Sequence, residues 1–352
     1  MASLNAPKTI SLFSSFCKAG EHAPFIHQDE VSAVRGVCDK VGVSLITCSN
    51  PDKDEYLAEV NGLDFGTVGL SKNFGFDLPP FIPTISKDLK NIDPDLIKSE
   101  IVAVSIKDLV SRPHPSAGIL KGAYSFRVDE EFLSHRLFKE KKVIVLMSGT
   151  DCLLEHTVWP NFEKILEIFS KHGIYAVTGV NFSVINGECP FGQRLNQKRS
   201  LVSSEKVEKT GMVAIPHIYA PNRFHQERYV EWLNKNPEVS VVTINASLEN
   251  ENGEDVMAVK EAIAFILSRV GRKLHILLQG MSFRHFHDMC EFMPYLHFSL
   301  LSPSYNAVFH QESVYNPRNG KFKRIYSSLP AGEIFLKNLG AYERACRGIC
   351  QI

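Results

Sequence analysis

The chain has 352 residues, with 44% hydrophobic and 22% charged positions, a balance that excludes wholesale disorder. Lys+Arg and Asp+Glu each number 39, so no chain-wide basic field exists for gripping nucleic acid, although local basic segments leave that partner open. No apolar run is long enough to span a bilayer, MASLNAPKTISLFSSFCKAG reads as a poor secretory leader, and the 8 Cys contain no CxxC pair; no membrane association, and free thiols in a reducing cytoplasm, are expected.

The first 100 residues read as an irregular segment that contributes to or caps a barrel. Within it, 9–16 and 43–48 are candidate strands, 28–41 is a candidate helix, and the Gly-, Pro- and Phe-rich stretch 61–95 reads as a long loop. Residues 101–312 read as the core. Apolar runs at 101–106, 143–147, 174–177, 212–215, 239–244, 274–278 and 297–301 predict strands. Helical periodicity between them covers 153–172, 203–210, 224–234, 255–270 and 283–292. The stretch 185–200 reads as a loop. The last part, 313–352, reads as a hairpin-like excursion with a basic tip, followed by a helix over about 331–347.

Strands that are apolar throughout are buried on both faces, and helix-linked parallel strands are the common way to achieve that. With one more strand from 9–16 or 43–48, the count reaches the eight of a (β/α)8 TIM-barrel-like parallel barrel.

In such a barrel the site lies where the strands end. The ends carry Ser105 and Lys107; Gly149, Thr150 and Asp151; Asn181 and Ser183; His217 and Tyr219; Asn245 and Ser247; Gln279, Gly280 and Ser282; Ser302, Ser304 and Tyr305. Asp151 is the expected nucleophile or general base, and His217 the expected general acid or base. Asn181, Tyr219, Asn245, Gln279 and Tyr305 are expected to bind substrate, and Gly280 to let it approach the backbone. Lys107, Arg194 and Arg199 are expected to take a phosphate or carboxylate. The function expected is that of a barrel enzyme on a small polar substrate, a nucleotide or nucleobase, by glycosyl transfer or hydrolysis, without cofactor.

Two other readings stay open. His285 and His287, with Asp288, His217 and Asp151, hold enough ligands for a divalent metal in a hydrolase; the pair serves one ion only if that segment is loop, because i and i+2 stand about 200° apart on a helix. A non-catalytic binding protein would use an exposed cluster of Phe65, Phe74, Phe76 and Phe81, or the basic hairpin. The chain contains no GxGxxG, GxxxxGK[ST], GxSxG or HExxH, which disfavours a Rossmann site, a P-loop, a serine-hydrolase elbow and a zincin.

Between residues 212 and 310 the stretches VVTINAS, LHILLQG and HFSLLSPS resemble the barrel of the tRNA-guanine transglycosylase family. The resemblance implies a nucleobase or nucleoside substrate. The family's nucleophilic Asp has no counterpart on HFSLLSPS, and its Cys/His zinc cluster is missing, so no catalytic residue is carried over.

Overall fold

A computed structural model describes residues 53–75, 77–89, 92–111, 126–150, 153–184, 190–219, 222–246, 254–294, 297–301, 313–316, 321–324 and 330–350. Their elements, in chain order, are α1 (Lys53–Glu59), β1 (Thr84–Ile85), β2 (Ile101–Ser105), α2 (Ile106–Leu109), β3 (Val110–Ser111), β4 (Arg127–Val128), α3 (Glu130–Leu133), α4 (Arg136–Glu140) and β5 (Lys142–Leu146). A π-helical turn over Leu154–Val158 leads into α5 (Phe162–Lys171). There follow β6 (Ala176–Thr178), α6 (Pro190–Lys209), β7 (Val213–Ile215), α7 (Arg223–Lys235), β8 (Val241–Asn245), α8 (Glu254–Val270), β9 (His275–Gln279), α9 (Phe283–Phe292) and β10 (His297–Leu301). β11 (Ser313–Asn316), β12 (Lys321–Arg324) and α10 (Ala331–Cys350) complete them.

The fold is mixed α/β with parallel sheets. One sheet has the order β1-β2-β5-β6-β7 and the other β10-β9-β8, and every pairing within both is parallel. Parallel bridges join the sheets at both edges, Phe81 to Leu300 and His217 to Thr243. Each bridge is flanked by backbone bonds: Ile82 N to Leu300 O (3.1 Å) and Leu300 N to Pro80 O (2.9 Å) at one edge, Thr243 N to Pro216 O and Ile218 N to Thr243 O (both 2.9 Å) at the other.

Side chains alternate across each strand, and the alternation sorts them into two cores. Val102, Val104, Val143, Val145, Val177, Val242, Ile276 and Leu278 pack with the helices. Ile101, Ala103, Ile144, Leu146, Ala176, Ile215, Val241, Leu277 and Leu301 form a separate cluster with Phe74, Leu78 and Ile82. Helix α5 shows the ordinary pattern on the helix side. Phe162, Ile165, Leu166 and Phe169 are buried at three- and four-residue steps, each worth about 1.5–3 kcal/mol.

Two stretches depart from the sequence reading. Within 61–95, expected as loop, Thr84–Ile85 pairs with β2. Pro79, Pro80 and Pro83 disguise the strand, since proline gives no N–H to a ladder. Their carbonyls still accept: Pro83 O takes Ala103 N at 2.7 Å, and Pro80 O takes Leu300 N. The 185–200 loop is also revised, because helix α6 begins at Pro190. The candidate strands 9–16 and 43–48 and the candidate helix 28–41 lie outside the described residues. The excursion after 312 is an antiparallel pair, β11 with β12. Among the described residues no helix is long and apolar enough to cross a membrane.

Candidate functional site

At the C-terminal ends of the parallel strands the apolar inner cluster gives way to polar side chains. Ser148 Oγ donates to Gln279 Oε1 at 2.8 Å, Gln279 Nε2 donates to Thr243 Oγ1 at 2.7 Å, and Thr243 Oγ1 donates to Leu277 O at 3.1 Å. Thr178 Oγ1 accepts from Met147 N at 2.8 Å. His217 lies two residues beyond Ile215, on the same face, and is the bridge partner of Thr243. Ser148, Thr178, His217, Thr243 and Gln279 thus form one polar layer. Gln279 and Thr243 are buried, and hydrogen bonding among them offsets the desolvation of their polar groups.

His217 is 2% exposed, and among the described residues its Nε2 has no hydrogen-bond partner. Burial alone lowers its pKa to about 3, so the imidazole is neutral near pH 7. A buried ring nitrogen without a partner costs about 1–3 kcal/mol, and is the kind of group a bound ligand or water satisfies.

Helix α6 braces this end of the strands. Its residues Gln193, Asn196, Gln197, Ser200, Ser203 and Ser204 recur at three- and four-residue steps and are all buried. Three of them hold neighbouring backbone. Asn196 Nδ2 donates to Ser183 O and Gln197 Nε2 to Tyr219 O, both at 2.8 Å. Ser203 Oγ accepts from Val180 N at 2.8 Å. The segments after β6 and after β7 are thereby clipped to one helix. Close approach depends on Gly179: a Cβ there would sit 2.9 Å from Ser204 Oγ, 3.0 Å from Ser200 O and 3.1 Å from His217 N.

Two buried cations belong to this bracing. Arg199 bonds Glu155 at 2.8 Å, lies 3.8 Å from Glu59, and stacks on Phe182 and Trp159. Lys198 donates to Asp64 O and Thr67 Oγ1, and burial lowers its pKa to about 8.

The residues singled out in the sequence divide accordingly. His217 and Gln279 fall in the polar layer. Asn181, half-buried, is tied through its N–H to Met147 O at 3.0 Å. Asn245 ends β8 half-buried, and Tyr219 is half-buried beside Gln197. Gly280 has φ +68°, which glycine adopts freely, and its N–H bonds Leu301 O at 3.1 Å. Lys107 is exposed on α2, directly after β2. Arg194 and Arg199 lie on a helix rather than a loop, and Arg199 is neutralised internally by Glu155 and Glu59. Asp151 and Tyr305 lie outside the described residues.

The metal set differs from expectation. His285 and His287 are on helix α9, which turns them to different faces. The ligand atoms that do gather, within 4.8 Å of one another, belong to His287, Asp288 and Glu291. Phe65, Phe74 and Phe81 are buried, and Phe76 lies outside the described residues. A cavity of about 420 Å³ opens at the opposite, N-terminal end of the strands, between Pro79, Glu100, Lys142 and the α10 residues Glu343 and Arg347.

The polar stripe of α6 was missed in the sequence, though its signal was present: amides and hydroxyls at helical spacing from Gln193 to Ser204. Comparison of the chain with models of known protein families and with curated proteins gave no match.

Proposed function

We propose that the two sheets close into one eight-stranded (β/α)8-type barrel, and that the chain is an enzyme acting on a small polar substrate at the C-terminal ends of its strands. The substrate class is a nucleotide or nucleobase, and the reaction glycosyl transfer or hydrolysis. Two observations favour closure: the parallel bridges at both edges, and the bond from Ser148, just past β5 of one sheet, to Gln279 at the end of β9 of the other.

The observation that carries the functional reading is the polar layer itself. Five strands contribute Ser148, Thr178, His217, Thr243 and Gln279 at or near their C-terminal ends, with an imidazole nitrogen that has no partner among the described residues. Gln279 keeps one N–H and one lone pair beyond the bonds to Thr243 and Ser148, which suits it to read an exocyclic group. With a pKa of about 3, His217 serves as a neutral hydrogen-bonding group and not as a proton carrier near neutrality. The carboxylate of the reading is Asp151, three residues after Ser148 in the chain, acting as nucleophile or general base.

Incubation with ribonucleosides and nucleoside monophosphates, followed by chromatography for free base, tests this. The expected result is base release that Asp151→Asn lowers by about 100-fold or more with the thermal midpoint unchanged. No release from any member of the panel, or full activity in the variant, ends the reading.

A further inference from the structure

We infer that the rim between α6 and α7 is a nucleotide-recognition site, in which Arg194 and Arg228 take the phosphate and Phe224 stacks on the base. The inference rests on the nucleotide reading above for its ligand class, and adds which residues hold the ligand and by which groups.

The two helices are pinned together at this rim. His225 Nε2 meets Gln193 Oε1 at 2.9 Å, and Arg228 Nη1 donates to Gln197 Oε1 at 3.3 Å. Arg194 follows Gln193 and Phe224 precedes His225, so they flank the joint. The same helix bonds Tyr219 O through Gln197, which puts the rim beside the segment leaving β7.

The Arg194 charge is uncompensated in a way the other cations nearby are not. Arg199 has two carboxylates, and the Arg223 guanidinium rests on Phe265, 3.6 Å from its ring centroid. Arg194 uses only Nε, on Pro190 O at 3.4 Å, and no carboxylate pairs with it among the described residues. Its two terminal nitrogens are therefore available for a bidentate contact with a phosphate. Arg228 is held over Phe65 at 3.8 Å and bonded to Leu63 O, which fixes its guanidinium in one orientation. Burial first, then the Arg228 and Arg194 charges, lower the pKa of His225. Burial also lowers that of Arg228, where the Arg194 charge adds to the effect and Tyr229, Asp64 and Glu231 oppose it.

Phe224 supplies the second half of the site. It is a large apolar residue left 54% exposed, with Arg228 5.8 Å from its ring centroid. An exposed ring next to a fixed cation is the pairing used for stacking a base while its phosphate is neutralised. His225 fixes the joint beside Phe224, its buried ring donating from Nε2 to Gln193 Oε1.

Titration calorimetry of the full chain at low salt with AMP, adenosine and inorganic phosphate tests the assignment. AMP is expected to bind more tightly than either fragment. Arg194→Gln should weaken AMP and phosphate by about tenfold or more and leave adenosine unchanged. Phe224→Ala should weaken AMP and adenosine and leave phosphate unchanged. Arg136→Gln, a charge removed elsewhere on the surface, should change none of them. No AMP binding by the unmodified chain, an AMP affinity that either rim variant leaves unmoved, or equal weakening by Arg136→Gln overturns the inference. Binding as expected without base release keeps the site and ends the catalytic reading. Base release with AMP affinity untouched in the rim variants does the reverse.

Discussion

Ser148, two residues past the end of β5, and Gln279, the last residue of β9, are hydrogen-bonded at 2.8 Å although β5 and β9 lie in different sheets and are not neighbours in either. The bond therefore crosses the space between the sheets and ties their inner faces together. Ser148→Ala and Gln279→Leu are each expected to destabilise the fold by about 1–2 kcal/mol. Combined in a double-mutant cycle, they should show a coupling of roughly 1 kcal/mol, measured by urea denaturation. Strict additivity would mean that the two side chains do not meet in solution.

Gly179 is the point of nearest approach between α6 and the strand ends. Gly179→Ala places a methyl group within 3.1 Å of three atoms, two of them backbone, and backbone moves less readily than a side-chain tip. The expected loss is about 1–3 kcal/mol. Removing the third atom with Ser204→Ala should restore only a part of it. A denaturation midpoint unchanged by Gly179→Ala would show that the helix has room to retreat.

The Arg199–Glu155 pair is almost dry, with side chains 3% and 12% exposed. Arg199→Met keeps the bulk and removes the charge, leaving a carboxylate buried without its cation. A loss of about 3–5 kcal/mol is expected. Adding Glu155→Gln to Arg199→Met should recover much of that, because the stranded charge is then gone. Equal stability of the single and double variants would argue that water reaches Glu155.

Acid should unfold the protein through its histidines. Burial lowers His217 and His275 to about 3 and His225 to about 4. In the unfolded chain each takes up a proton as the pH falls past about 6.5. Between that value and the folded pKa the unfolded state binds more protons, so stability falls with falling pH. The slope is roughly 1.4 kcal/mol per pH unit for each histidine that stays neutral. Stability should be level above about pH 7 and decline below about pH 6. His217→Gln should flatten the decline, as followed by circular dichroism across pH. A profile independent of pH between 4 and 7 would contradict the burial of these rings.

Strand positions were legible wherever a β-branched run ended in Gly or a polar cluster. β2, β5, β8, β9 and β10 fall within a residue or two of the expected spans. Helix α5 and the 331–350 helix were legible for the matching reason, an apolar stripe at helical spacing. β1 was not, because three prolines outweighed Thr84 and Ile85 in any reading based on propensity. The first half of α6 was not, because helix recognition looks for apolar periodicity, and this helix repeats amides and hydroxyls instead. Of the candidate site, His217 and Gln279 were legible as polar residues closing apolar strands. Arg194 was named for its charge, whereas Arg228 and Phe224 were not, since their role depends on two helices meeting side by side.

The polar stripe of α6 also sets how precisely that helix can sit. A greasy stripe tolerates sliding by a fraction of a turn, since one methyl contact substitutes for another. Amides and hydroxyls clipped to chosen groups of Val180, Ser183 and Tyr219 allow a single axial and angular setting. Whatever docks against the outer rim therefore meets a surface whose spacing is ruled by the strand termini beneath it, and a shift at one propagates to the other.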